Sequence, residues 1–132
     1  RLPTVDEWEY VAMANETIPD ARTLKTYNEF ILSWYEKPKT FNNEIGSTFK
    51  NYWGVYDLHG LVWEWTFDFN SVLITGESRK DVDTDSDLFC GSAAVGATDL
   101  MNYAAFMRYA IRGSSKAKYT MKNLGFRCVK DK

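Results

Sequence analysis

One stretch of this chain leaves its backbone little choice. Val62-Trp63-Glu64-Trp65-Thr66-Phe67-Asp68-Phe69 alternates bulky and polar residues without a break. Side chains two apart on an extended backbone share a face, so Trp63, Trp65, Phe67 and Phe69 point one way and Glu64, Thr66 and Asp68 the other. The segment predicts a strand. Leu88 to Ala93, Met107 to Arg112 and Leu124 to Val129 read as shorter extended pieces. Residues 39–52, 76–87 and 113–122 are rich in polar, charged and turn-forming residues and read as surface loops.

Helical signals sit elsewhere. In Leu2-Pro3-Thr4-Val5-Asp6-Glu7-Trp8, Thr4 can accept from the backbone N–H three residues on while Glu7 reaches back, which is a capping box. Asp6 and Glu7 favour the positive end of the helix dipole, and Trp8, Val11 and Ala12 share a face. A second helix is predicted from about Ala21 to Tyr35, with Leu24, Tyr27, Ile31, Leu32 and Tyr35 at helical spacing and Pro38 ending it. Thr98 or Asp99 caps a short helix to about Phe106. The pattern is α+β with much irregular chain, and no internal repeat or linker divides it.

The 132 residues suit one domain, and 45% apolar with 26% charged residues argues for a packed core. Aromatics reach 16%; they stabilise a fold with little regular structure, and core packing is the first role expected of most. A net charge of −2 with scattered basic residues gives no reason to expect nucleic acid. Lys116, Lys118 and Lys122 read as a solvated loop. No apolar run approaches the roughly 20 residues that span a bilayer. The abrupt start at Arg1, inside a helix-opening signal, suggests a piece of a longer protein. Two cysteines and one histidine, His59, are too few for a structural zinc site of the usual four ligands.

Three segments, in order, carry a resemblance. RLPTVDEWEY (1–10) is similar to RLPTEAEWEY, GVYDLHGLVWEW (54–65) to GLYDxxGNVWEW, and CGS (90–92) with MRYAIR (107–112) and NLGFRC (123–128) to the ending GGS…R-x-A-x-R…NLGFRC. These are signatures of the formylglycine-generating, or sulfatase-modifying factor, family. The resemblance implies a C-type-lectin-like variant of the α+β class. It also implies that residues 1–132 are the C-terminal part of a single domain whose upstream part is absent here. Within the family the chain looks most like bacterial accessory proteins encoded near nitrite-reduction genes. An extracytoplasmic, periplasmic location is the matching expectation.

The turn around Gly60 is the first candidate site. Asp57 and Glu64 flank it, and carboxylates with backbone carbonyls are the hard oxygen ligands that Ca²⁺ prefers. From spacing alone, the two carboxylates simply hold a turn. The resemblance implies a structural calcium, with Asp57 and Glu64 binding through side chains and Gly60 and Val62 through carbonyls. Leu61 stands where the family has Asn. The family's other calcium site finds no matching ligands in residues 20–50.

The family's oxygen-dependent enzymes oxidise a substrate cysteine with two thiolates that hold Cu(I), a soft ion that few other side chains bind. Here the corresponding interval, Ala93 to Met107, contains no cysteine. The second thiolate position falls at Ala104, after a matching Tyr103, and the interval is longer than in those enzymes. Copper-dependent formylglycine formation is therefore not expected. Iron chemistry, seen in other members, needs more histidines than His59, whose expected role is packing or surface exposure.

The resemblance places Trp63, Ser92, Tyr103 and Asn123 around a substrate groove, where they would take a peptide or small molecule by stacking and hydrogen bonding. Equally, Trp63 packs in the core and Asn123 holds a turn. Arg108, Arg112 and Arg127 match arginines expected to pair with buried carboxylates. The usual partner of Cys128 lies upstream of RLPT, so Cys128 is free or joined to Cys90. Cys90 itself is either a small buried hydrophobe or a reactive group near the groove. Three functions follow: a non-catalytic binding or accessory module, an oxidoreductase with altered metal ligands, and a sugar-binding lectin.

Overall fold

The computed structural model describes residues 1–69, 104, 107, 108, 110–112 and 114–132. Helix α1 spans Val5–Ala12 and opens as its sequence requires. Thr4 is extended; its Oγ1 accepts from Glu7 N at 3.2 Å, and Glu7 Oε2 accepts from Thr4 N at 2.8 Å. The Arg1 guanidinium on Glu7 holds that carboxyl at about 2. The last turn of α1 has no basic residue. Its carbonyls are instead taken by side chains: Asn51 Nδ2 donates to Val11 O at 2.8 Å, while the Tyr27 hydroxyl and His59 Nε2 reach Ala12 O at 2.7 and 2.9 Å. Helix-end carbonyls buried from water need such partners.

Helix α2 spans Lys25–Glu36, starting four residues later than the apolar spacing predicts. Asp20 accounts for the delay. Its carboxylate accepts from Arg22 N and from the Arg22 guanidinium, a local bond that favours a turn over a helix. Leu24 becomes the extended N-cap residue and is partly exposed. Tyr27 and Ile31, one turn apart, face the core with Ala21 and Ala104, and Leu32, Tyr35 and Phe49 pack around them. Pro38 ends the helix because the residue before proline avoids the helical region; Lys37 is extended at φ −82°, ψ 124°. A 3-10 turn, Thr40–Asn42, follows.

Residues 50–60 form a braced loop. Lys50 and Tyr56 make an isolated antiparallel bridge. Asn51 is buried; its Oδ1 accepts from Trp53 N and Val55 N. Asp57 sits in the left-handed region at φ 59°, which Asp tolerates better than most residues. Its carboxylate accepts from the backbone of Gly46 and from Thr48 N and Oγ1.

Strand β1 is Trp63–Trp65 and β2 is Leu124–Phe126. They pair in parallel, with Trp63 opposite Leu124 and Trp65 opposite Phe126. Together with the helices they make a mixed, α+β arrangement. The strand predicted over 62–69 is thus cut to its first turn of alternation. Phe67 lies in a turn, 70% exposed, because its N–H leaves the ladder and donates to Pro3 O at 2.8 Å. The Glu64 side chain is 8% exposed, covered by Arg127.

Two further expectations give way. Met107, Arg108 and 110–112 are helical, not extended. Arg108 and Arg112 are four residues apart, so a helix puts them on one face as readily as a strand does. Core packing is also not the main role of the rings. Among the described residues Tyr27 is the one buried Phe, Tyr or Trp, and Tyr10, Phe30, Tyr52, Trp53 and Tyr56 are exposed. The strand predicted over 88–93, the loop over 76–87 and the cap at Thr98 or Asp99 lie outside the described residues. Lys116, Lys118 and Lys122 are exposed as expected. Among the described residues no helix is long and apolar enough to cross a membrane.

Candidate functional site

A cavity of about 730 Å³ opens between α1, the end of α2, residues 58–66 and the helical residues that carry Arg108. That volume lies in the range of small-molecule sites. Its position follows from chain geometry. α1 contributes Trp8 and Glu9, and α2 contributes Trp34 and Tyr35. β1 supplies Trp63, Trp65 and Glu64.

The aromatic walls are ordered by contact with one another. Tyr35 and Trp63 lie 5.6 Å apart in a tilted pair, and Trp65 and Phe69 meet edge to face at 4.8 Å. Lys37 Nζ stands 4.2 Å from the Trp34 ring centroid, a cation–π contact. The Arg108 guanidinium is held bidentately by Glu9, Nε to Oε1 at 2.7 Å and Nη2 to Oε2 at 2.8 Å. Burial works against the Arg108 charge, and the Glu9 carboxylate more than offsets it. Tyr35 is pushed up by its own burial, with Arg108 pulling the other way.

Two polar atoms of the wall residues have no protein partner. They are Trp34 Nε1 and His59 Nδ1, both buried. The state of His59 follows from its bond to Ala12. A carbonyl oxygen only accepts, so Nε2 carries the proton and Nδ1 is a bare lone pair. Burial lowers the His59 pKa to about 4, which keeps the ring neutral. Both atoms are closed to solvent, so they lie behind the cavity wall and not on its open face. Buried polar groups of this kind are uncommon and call for an explanation.

Of the residues expected around a groove, Trp63 and Asn123 both line this cavity. They are also joined, Trp63 N donating to Asn123 O at 2.8 Å. Ser92 and Tyr103 lie outside the described residues, as does Cys90. Cys128 is a free, exposed thiol. Ala104, at the second thiolate position of the resemblance, is buried among Ala21, Tyr27 and Ile31. Trp34, Lys37, Glu9 and His59 were not singled out as groove residues. A Trp followed three residues later by Lys on a helix was the available signal for the first two.

Both carboxylates of the turn suggested for calcium accept hydrogen bonds from protein donors. Gly60, Val62 and Glu64 border the cavity, whereas the Asp57 carboxylate faces Gly46 and Thr48. Glu64 accepts from Trp8 Nε1 at 2.8 Å and from Arg127 Nε and Nη2 at 2.7 Å each. An ion that used both carboxylates would have to displace these donors. Among the described residues no group of three or more His, Cys, Asp or Glu side chains is placed to hold a metal.

The sequence matches the family profile described as the sulfatase-modifying factor enzyme 1-like domain over residues 1–132, the whole chain. The chain belongs to the sulfatase-modifying factor family. Comparison with curated proteins and with solved structures returned no match. In this sulfatase-modifying factor domain two of the motif arginines hold carboxylates, and of those only Glu64 is nearly buried, the Glu9 side chain being 41% exposed. Arg108 pairs with Glu9 and Arg127 with Glu64, so both motifs act by tying distant segments together.

Proposed function

We propose that this sulfatase-modifying factor domain is a non-catalytic binding or accessory module on a C-type-lectin-like scaffold, taking a peptide or small molecule in the cavity beside Trp63. The observation that carries the reading is the cavity itself, walled by Trp8, Trp34, Tyr35, Trp63 and Trp65. A ligand with an apolar or aromatic body suits that wall. The non-catalytic half rests on Ala104. An alanine packed against Tyr27 and Ile31 stands where the resemblance puts a copper thiolate. Kinship with accessory proteins encoded near nitrite-reduction genes, and a periplasmic setting, belong to the same reading.

Tryptophan fluorescence is the direct assay, since Trp8, Trp34, Trp63 and Trp65 all line the cavity. A peptide and small-molecule panel is expected to yield a saturable change that Trp63→Ala weakens by removing an aromatic wall. Cu(I) titration with oxygen electrode readings is the counter-test. Tight thiol-dependent Cu(I) binding coupled to oxygen uptake would replace the accessory reading with the oxidoreductase one.

A further inference from the structure

The groups around the Gly60 turn behave as a cation site whose cation is part of the chain. Arg127 follows β2, and its guanidinium reaches back into the turn. Nη2 lies 2.7 Å from Glu64 Oε1, 3.1 Å from Tyr56 O and 3.3 Å from Asp57 O, and Nε lies 2.7 Å from Glu64 Oε2. One carboxylate and two backbone carbonyls thus converge on a single positive head. These are the hard oxygen donors that a calcium ion would gather. Glu64 is nearly closed to solvent, and a buried carboxylate needs a counter-charge.

We infer that the Arg127 guanidinium is the resident cation of this turn, so that the fold needs no divalent metal there. A planar guanidinium suits the role because its fork meets the carboxylate through two parallel bonds while the outer N–H of Nη2 is still free for carbonyls. It also does what an ion cannot. Being covalently part of the segment after β2, it pins that segment to β1 and to the 56–57 turn without any loss on dilution. Trp8 Nε1, donating to Glu64 Oε2 at 2.8 Å, extends the cluster to α1.

Terbium luminescence on the whole chain tests this, with Trp8 in contact with Glu64 as the local sensitiser. Wild-type protein is expected to show no tryptophan-sensitised terbium emission that depends on Glu64. Its melting temperature is expected to be the same in EDTA and in millimolar calcium. Arg127→Met is expected to melt well below wild type, and Arg127→Lys, which keeps the charge and loses the fork, between the two. Sensitised emission unaffected by Glu64→Gln places the ion elsewhere and agrees with the inference. A chelator-induced drop in the wild-type melting temperature, or wild-type emission abolished by Glu64→Gln, would overturn it. So would an Arg127→Met protein that melts with wild type. If Arg127→Met does not fold, the wild-type measurements still decide.

Discussion

His59 and Tyr27 place their polar ends on the same atom: Nε2 of one and the hydroxyl of the other lie 2.9 and 2.7 Å from the carbonyl oxygen of Ala12. That oxygen ends α1, so two buried side chains from different segments do the work of a helix cap. The arrangement fixes the His59 tautomer, and burial makes its ionisation costly against the pull of the Ala12 carbonyl. A histidine whose folded pKa is about 4 against an ordinary 6.5 takes up a proton on unfolding. Its contribution to stability is complete above pH 6.5 and is lost as pH falls toward 4. The loss amounts to about 3 kcal/mol by linkage. Urea denaturation across that window is expected to show the slope. His59→Gln, which can still donate to Ala12 O, is expected to flatten it.

Gly60→Ala is expected to destabilise by about 3 kcal/mol. Gly60 has φ 120°, and an added Cβ would meet Trp34 Cδ2 at 2.7 Å and Cε3 at 2.9 Å. Strain at such a φ and overpacking each cost about 1–3 kcal/mol. Because Trp34 walls the cavity, the same substitution is expected to shift its fluorescence. Thermal melting and an emission spectrum of one sample check both.

Thr4→Ala removes the oxygen that receives Glu7 N. A loss of about 1 kcal/mol is expected, as for other N-cap threonines. Thr4→Ser is expected to retain most of it. Chemical denaturation midpoints at a common slope give the comparison.

Cys128 is exposed and free. It is expected to react with a thiol reagent in native buffer, without denaturant. Mass spectrometry of the modified, digested chain locates the adduct. An unreactive Cys128 under these conditions would point to a partner for its sulfur.

The sequence was most readable where local chemistry decides the outcome. The Thr4–Glu7 box needs only residues three apart, and the Pro38 stop needs only its neighbour; both stand in the structure. The alternation over 62–69 misled because a period of two records which side chains could share a face, not which face the fold covers. Arg127 covers Glu64 from far along the chain, and Pro3 draws Phe67 out of the strand. Met107 to Arg112 fits both periods, so only its contact with Glu9 separates helix from strand. Trp63 and Asn123 were named through the family motif, and both line the cavity. The unpartnered nitrogens of Trp34 and His59 were not legible, because an orphan polar atom exists only once burial is known.

The parallel pairing of Trp63–Trp65 with Leu124–Phe126 has a kinetic consequence. The two strands are separated by nearly half the chain, and their contact closes a long loop before any ladder bond repays that entropy. A nascent chain can form α1 and α2 early, since both need only residues near the start. Its sheet must wait until Leu124–Phe126 has been made. Until then Trp63 and Trp65 stand without their partner strand, and this is the interval in which such a chain is most open to aggregation.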